Sequence, residues 1–391
     1  MVAGNTTLTA YAGGRHDDER PLQQAGYKMS AGMPSLRVSV HRSQDLSGAD
    51  IAKWRDLQAS DPLLDNAFLS PEFTIATAHS RSNVRVAVIR QGAEAVAFLP
   101  FQRGCFGIGC AVGLGVSDAQ AIICAPDFSF EPVELVRACG LGLWEFDHLV
   151  SRLGEFAPCV NWTTGSAVMD VREGYDAYLQ QGDRARGRRI QGLPQKRRGL
   201  ERELGGLEFV FDACDPSALD SLMRWKSAQW VRTGNFDRFS SDWIRELVQV
   251  LANCKETGCR GTLSTLSAGG RLVAAHFGIR TATRLSLWFT AYDYGLKKYS
   301  PGLLLFLAIA EAAPQYGVGI LDLGKGGEQY KESLASWEYP AAAGRVKASD
   351  VSGLVRRAQA GGERRWDEFV VGHPRLRSVL PRRISQIGRV H

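Results

Sequence analysis

The same strand–turn–strand pattern occurs twice in the chain, and this repeat limits the possible folds more than any other feature. Residues 84–102 and 260–280 each consist of two apolar runs around a short polar turn that contains glycine. Glycine allows the positive φ angle that a tight hairpin requires. A mostly helical stretch precedes each hairpin, over residues 51–79 and 218–255, and the hairpins lie about 176 residues apart. The repeat predicts two similar α+β domains in tandem.

The second copy continues with a recognisable order of predicted strands and helices. Residues 284–292 are rich in aromatic and apolar side chains, which favours a third strand. Ser300 and Pro301 then suit the start of a helix, as N-cap and first helical residue. Gly317 marks the end of this helix, and residues 320–323 form a short apolar run. The order strand, strand, strand, helix, strand predicts a mixed sheet with a helix N-terminus beside it.

A helix N-terminus is a candidate anion site, because its free N–H groups and its dipole attract negative charge. Gly302 would allow a phosphate to approach the backbone closely, and Lys297 and Lys298 lie just upstream. The alternative is an ordinary capped helix without a ligand. These residues alone do not decide between the two.

Composition excludes several classes of protein. With 391 residues, 45% hydrophobic and 23% charged, the chain matches a globular protein of two or three domains. Its longest apolar run has eight residues, against about 20 for a membrane span. We find no pattern of a secretory signal. The eight cysteines include no C-x-x-C pair and the seven histidines are scattered, so we expect reduced thiols, no metal and a cytoplasmic location.

The charge is concentrated in two segments. Residues 184–202 carry eight basic side chains and one acid, a charge of +7, and residues 351–391 carry nine arginines and three acids, a charge of +6. Since the whole chain has a net charge of +6, the remainder carries −7. Such segments suit an anionic membrane surface or polymer, or remain solvated without a partner. Neither segment interleaves aromatic residues at the spacing on which the bases of single-stranded nucleic acid stack, which argues against nucleic acid as a partner.

One set of residues in the second copy resembles the CelD-like acetyltransferases, GNAT-type proteins associated with bacterial cellulose and exopolysaccharide production. The set is Leu272-Val-Ala-Ala-His276-Phe, Trp288-x3-Tyr292-Asp293, Ser300-Pro301-Gly302 and Asp322-x-Gly324-x2-Gly327-x2-Tyr330-Lys331. The run Lys196-Arg197-Arg198-x-Leu200-Glu201-Arg202 resembles the arginine-rich helix of that family. The resemblance is strong over residues 175–331 and extends to residues 36–164 only in layout.

The resemblance implies an α+β protein of two tandem GNAT-like domains, the second of which binds acetyl-CoA or another acyl-CoA. It implies an acyltransferase that acts directly on a saccharide or sugar-nucleotide acceptor in exopolysaccharide or cellulose biosynthesis. The phosphate loop departs from the usual Arg/Gln-x-x-Gly-x-Gly/Ala, because Lys297-Lys298-Tyr299-Ser300-Pro301-Gly302 stands in its place. We assign cofactor contacts to Lys297, Lys298, Ser300, Gly302 and Leu303.

Acyl transfer from a thioester requires a deprotonated acceptor, donors for the oxyanion and a proton for the thiolate. His276 is the candidate base, although a buried, hydrogen-bonded histidine would also fit the pattern. Asp322 would orient substrate or accept a proton, or else cap the loop that follows it. Tyr330 is the candidate acid for the thiolate. Substrate contacts are assigned to Tyr292, Asp293 and Lys331.

The predicted organisation has five parts. Residues 1–34 form a disordered lead, 35–170 and 207–345 the two GNAT-like domains, 171–206 a basic helical connection, and 346–391 an arginine-rich tail. Two other functions remain open. One is a Fem-type aminoacyl transferase that uses charged tRNA. The other is a non-catalytic accessory protein that docks on a membrane-bound polysaccharide synthase complex, which would place the chain peripherally at the inner membrane.

Overall fold

The protein is described by a computed structural model that covers residues 36–181, 190–326 and 329–349, together with the backbone of residues 25–27. The basic residues 184–189 and residues 350–391 of the arginine-rich tail lie outside the described residues, whereas a strand (Trp337–Lys347) extends two residues into the predicted tail. Residues 25–27 form a short strand, β1 (Ala25–Tyr27), which pairs antiparallel with residues 36–38. These three residues therefore depart from the disordered lead that the sequence predicts.

The first half of the chain follows the order strand, two helices, three strands, helix, two strands. Its main elements are β2 (Leu36–His41), α1 (Gly48–Ala59), α2 (Pro71–Ser80), β3 (Val84–Gln91), β4 (Glu94–Arg103), β5 (Ile108–Ala111), α3 (Pro132–Ala138), β7 (Leu143–Leu149) and β8 (Val160–Asp170). Two shorter elements are β6 (Ile123–Cys124) and α4 (Leu153–Phe156). Local chemistry sets the helix starts, since the Ser70 hydroxyl accepts the N–H of Phe73 and Pro71 follows the cap.

The second half repeats this order. Its main elements are β9 (Leu207–Val210), α7 (Pro216–Arg232), α8 (Asp242–Ala252), β11 (Cys259–Ala268), β12 (Arg271–Arg280), β13 (Arg284–Tyr292), α9 (Pro301–Ala312), β14 (Ile320–Lys325) and β15 (Trp337–Lys347). Shorter elements are α5 (Tyr175–Gln180), α6 (Leu193–Leu204), β10 (Lys255–Glu256) and α10 (Gln329–Leu334). The repeated order confirms the mixed α/β fold and the two tandem units.

All strands of the described residues belong to one mixed sheet. Its order is β1-β2-β3-β4-β5-β7-β15-β8-β14-β13-β12-β11-β10, with β6 paired to β4 and β9 to β11. Most neighbours are antiparallel, but β5 and β7 are parallel, as are β13 and β14. The last strand of the second half, β15, lies between the last two strands of the first half. Strand β8 in turn pairs with β14, so the two halves exchange their final strands.

The hydrophobic core on one face of the sheet is shared by both halves. It contains Trp54 and Phe73 of the first half and Leu222 and Leu247 of the second, all fully enclosed. Helix α9 covers the opposite face with Leu305, Phe306 and Ile309. Because one core spans both halves, side chains of the first half can reach the strands of the second.

Candidate functional site

Strands β13 and β14 separate after three residue pairs. They are paired in parallel from Arg284–Ile320 to Ser286–Asp322, and β13 then runs on to Tyr292 without β14 beside it. We call the space between β13 beyond Ser286 and β14 beyond Asp322 the strand opening. It lies at the carboxyl ends of two parallel strands, where α/β sheets commonly bind ligands.

A β-bulge explains why the strands separate. Phe277 faces Phe289 and Ile279 faces Ser286, so that Leu287 and Trp288 together oppose the single residue Gly278. A bulge of this kind bends its strand and increases the local twist. Gly278 is required because a Cβ atom there would lie 2.2 Å from the carbonyl oxygen of Ser286. The bulge thus directs β13 away from β14.

The corresponding opening in the first half is filled by the chain itself. Strands β5 and β7 are paired from Ile108–Leu143 to Cys110–Glu145, and Gln120 then forms a parallel bridge with Leu149. The N–H of Gln120 donates to the carbonyl of His148 at 2.8 Å. Among the described residues, no backbone segment pairs with β13 or β14 inside the strand opening of the second half. The second half is therefore the better candidate for a binding site.

A segment of the first half lies across the mouth of the strand opening. On the β13 side, the Trp288 indole N–H donates to the carbonyl of Val116 at 2.8 Å. On the β14 side, a Cβ atom at Gly324 would lie 3.1 Å from Oδ2 of Asp118. Asp118 belongs to no sequence motif and lies far along the chain from Gly324, so the sequence gives no signal for it.

Asp322 lies at the centre of a buried hydrogen-bond network and is 2% exposed. The Tyr339 hydroxyl donates to Oδ2 at 2.5 Å, and the Gly324 N–H donates to Oδ1 at 2.9 Å. Further donors at 3.4 Å are Asn66, Ser166 and Arg284. Burial, with Asp322 nearby, raises the pKa of Tyr339 well above its usual value, so the phenol remains a donor. The bond to Gly324 matches the capping role that the sequence offers for Asp322 as an alternative to catalysis.

His276 is completely buried on β12, opposite Ser264 and Thr290. Within the described part of the chain, both of its ring nitrogens lack a hydrogen-bond partner. Burial lowers the pKa of His276 to about 3, so the ring is neutral at physiological pH. A base with so low a pKa is poorly matched to proton transfer near neutral pH.

Tyr330 and Lys331 lie in the short helix α10, which precedes β15. The Tyr330 ring stacks on Phe306 of α9, with the ring centroids 5.7 Å apart. Lys331 is buried, and its Nζ donates to the carbonyl of Lys325 at 2.6 Å. This contact places both residues beside the end of β14, at the same edge of the sheet as the strand opening.

The start of helix α9 is organised differently from a simple capped helix. Ser300 adopts a left-handed conformation with φ of 53°, and its side chain caps no backbone N–H. Its hydroxyl instead accepts from Nζ of Lys196 on helix α6 at 2.7 Å. The N–H of Leu303 already donates to the carbonyl of Ser300 at 3.0 Å. A Cβ atom at Gly302 would lie 3.4 Å from the Tyr292 ring, which is ordinary contact.

The remaining predicted contacts surround this helix start. Lys298 donates to Glu203 at 2.8 Å and Lys297 to the Tyr294 hydroxyl at 3.1 Å. Asp293 accepts the N–H of Gly295 at 2.9 Å and pairs with Arg271. A shallow groove of ≈ 530 Å³ lies between helix α6 and this turn, lined by Gln195, Lys196, Gly199, Arg202, Glu203, Lys298 and Tyr299. Its three cations against one acid suit a phosphorylated ligand.

Two other observations concern metals and membranes. Within the described ranges, no group of three or more His, Cys, Asp or Glu side chains is placed to hold a metal ion. In the same ranges, the helices are too short or too polar to span a bilayer. All eight cysteines are free thiols.

Comparisons with known proteins concern the domain type and the fold. The family described as Acetyltransferase (GNAT) domain matches residues 187–332, so a GNAT acetyltransferase domain is present in the second half. The match includes helix α6, the strand opening and helix α9. No curated protein sequence matches the chain.

The solved structures that are similar to the chain include the following three. FemX is 9% identical with a TM-score of 0.52, covering 81% of this chain and 99% of FemX. The C-terminal domain (DUF2156) of a putative lysylphosphatidylglycerol synthetase from Agrobacterium fabrum is 14% identical with a TM-score of 0.49. The match covers 80% of this chain and 96% of that domain. A tandem GNAT protein from the clavulanic acid biosynthesis pathway is 12% identical with a TM-score of 0.47. The match covers 80% of this chain and 99% of that protein. At these identities the likeness to FemX concerns the fold alone.

Proposed function

We propose that the protein is an acyl-CoA-dependent N- or O-acyltransferase, with acetyl-CoA as the donor, and that residues 187–332 carry the donor site. The observation that carries this proposal is the strand opening, which lies beside a helix N-terminus within the part of the chain that matches a GNAT acetyltransferase domain. The opening exposes strand edges, which can hydrogen-bond an extended amide chain such as that of CoA.

The residues around the opening fit the donor. Alternate N–H groups of β13 beyond the bulge face the strand opening, since β13 is paired there only with β12. Such preorganised donors can stabilise the oxyanion that develops on the thioester carbonyl. Toward helix α9, Lys196, Arg202 and Lys298 would face the CoA phosphates. Tyr330, beside the end of β14, would supply the proton that the departing thiolate takes up.

For the acceptor, we propose a saccharide or sugar nucleotide of bacterial exopolysaccharide or cellulose biosynthesis. This part rests on the resemblance to CelD-like proteins at Ser300-Pro301-Gly302 and Asp322-x-Gly324. The two basic segments would bring the enzyme to an anionic membrane surface or to a synthase complex through screened attraction.

The donor site can be tested at Gly302. We expect Gly302→Glu to weaken acetyl-CoA binding at least 10-fold in titration calorimetry, because the carboxylate adds bulk and like charge beside the phosphates. Gly302→Ala should bind within a factor of two, because its Cβ atom would make only ordinary contact with Tyr292. The control is Gly206→Glu, at an exposed position where a Cβ atom has nothing within 4 Å. Equal affinity of Gly302→Glu and the parent would place the donor elsewhere.

A second experiment separates the alternative functions. Release of free CoA from acetyl-CoA, in the presence of amino sugars or sugar nucleotides, identifies an acyl-CoA-dependent enzyme. Transfer that requires aminoacyl-tRNA and disappears after RNase treatment would instead identify an aminoacyl transferase. An accessory protein would show neither activity.

A further inference from the structure

The first half of the chain places a carboxylate at the strand opening of the second half. Its residues 116–118 lie across that opening, since the Val116 carbonyl meets the indole of Trp288 and the Asp118 carboxylate meets Gly324. The side chain of Asp118 is 25% exposed, so a ligand in the opening can reach it. Asp322, by contrast, is enclosed by its own donors.

A row of side chains lies behind Asp118. Nε2 of His148 lies 3.5 Å from Oδ1 of Asp118, and Nδ1 of the same ring lies 3.2 Å from Oδ1 of Asp147. Asp147 is fixed in turn by the Gln120 amide at 2.5 Å and the Gly115 N–H at 3.2 Å. The imidazole thus lies between two carboxylates, only one of which is accessible.

The charges around Asp118 come from several elements. His148, Lys331 and Arg238 favour its ionised form, whereas Asp322 opposes it. Lys325, on β14, is within electrostatic range and forms a hydrogen bond to the carbonyl of Asp147 at 2.8 Å. Partial burial is the largest effect and raises the pKa of Asp118. A carboxyl group with a raised pKa is a better proton acceptor than an ordinary one.

We propose that Asp118 is the catalytic base for acyl transfer in the strand opening and that His148 is its positioning residue. This inference rests on the proposed acyltransferase function. The acceptor N–H or O–H loses its proton to Asp118 as the nitrogen or oxygen forms a bond to the thioester carbonyl carbon. The C–S bond then breaks, the thiolate of CoA leaves and takes a proton, and Asp118 returns its proton to solvent. The active site is thereby assembled from both halves.

The test uses the full chain with acetyl-CoA as donor and glucosamine or water as acceptor. We expect Asp118→Asn to lower kcat at least 100-fold while the Kd for acetyl-CoA changes less than twofold. Asp118→Glu keeps a carboxylate and should retain more activity than Asp118→Asn. Asp127→Asn, at an exposed position on the same stretch of chain, is the matched control and should keep the parental rate.

His148→Gln tests the positioning role through the pH profile. His148 favours the ionised form of Asp118 and so lowers its pKa; replacing His148 should therefore move the acid limb of kcat to higher pH. If the acid limb of the pH profile does not move, His148 is not the positioning residue of Asp118. If the parent turns over and a folded Asp118→Asn matches it, the base assignment is overturned and the acyltransferase proposal survives. A parent that neither binds acetyl-CoA nor releases CoA overturns both.

Discussion

At the scale of single residues, His276 shows how burial sets protonation. Its two ring nitrogens have no hydrogen-bond partner among the residues that the structure describes. Gly278 lies so close that a Cβ atom there would be 2.8 Å from the ring. Transfer of an unpaired polar group into a protein interior costs free energy, and a charged one costs far more. The ring therefore stays neutral in the folded protein, whereas it titrates near pH 6.5 in the unfolded chain.

This difference predicts a pH-dependent stability. Because the pKa of His276 is depressed on folding to about 3, the unfolded chain takes up the proton first, and the free energy of unfolding falls as pH drops below about 6.5. His276→Leu should remove this contribution, about 2 kcal/mol between pH 7 and pH 5. Urea unfolding of parent and variant at both pH values measures it.

The same variant bears on catalysis. We expect His276→Leu to retain CoA release, since a fully enclosed ring with a pKa of about 3 cannot exchange protons efficiently with an acceptor. Loss of turnover in a stably folded His276→Leu would restore the histidine as the base that the sequence suggests.

At the scale of elements, the bulge in β13 determines where the sheet opens. The opening depends on Gly278, opposite Leu287 and Trp288, because no side chain fits between its Cα atom and the Ser286 carbonyl. We expect Gly278→Ala to destabilise the protein by about 1–3 kcal/mol, as overpacking does. It should also weaken acetyl-CoA binding.

Gly48→Ala provides the comparison for this variant. Gly48 begins helix α1, far along the chain from the opening, and a Cβ atom there has nothing within 4 Å. Thermal melts and calorimetry should show near-parental values for Gly48→Ala. Matching values for Gly278→Ala would show that the bulge tolerates a methyl group and does not control the opening.

Much of the element order could be predicted from the sequence, because it depends on local patterns. The hairpins around Gly92 and Gly269, the strand over residues 284–292 and the helix that starts at Pro301 all occur as expected. The strand exchange and the approach of Asp118 to Gly324 could not be predicted, since both depend on contacts between residues far apart in the chain. The sequence predicts that Ser300 caps helix α9, but its hydroxyl accepts a hydrogen bond from Nζ of Lys196 instead.

At the scale of the whole molecule, the two halves share one sheet and one hydrophobic core. Strand β15 lies between β7 and β8, and helices α2 and α8 pack in a common core. We expect one unfolding transition, with far-UV circular dichroism and tryptophan fluorescence changing together in urea. Two separate transitions would show instead that the halves fold independently.

The place of β15 also has a consequence for synthesis. A ribosome completes β8 at residue 170 but reaches β15 only at residue 337. At about 5–20 residues per second, the first half waits roughly 10–30 s for a strand that belongs in its interior. We expect the edges of β7 and β8 that later flank β15 to lack this partner during that interval and to be open to pairing with other chains. Protection of these edges should therefore matter until residue 347 has emerged.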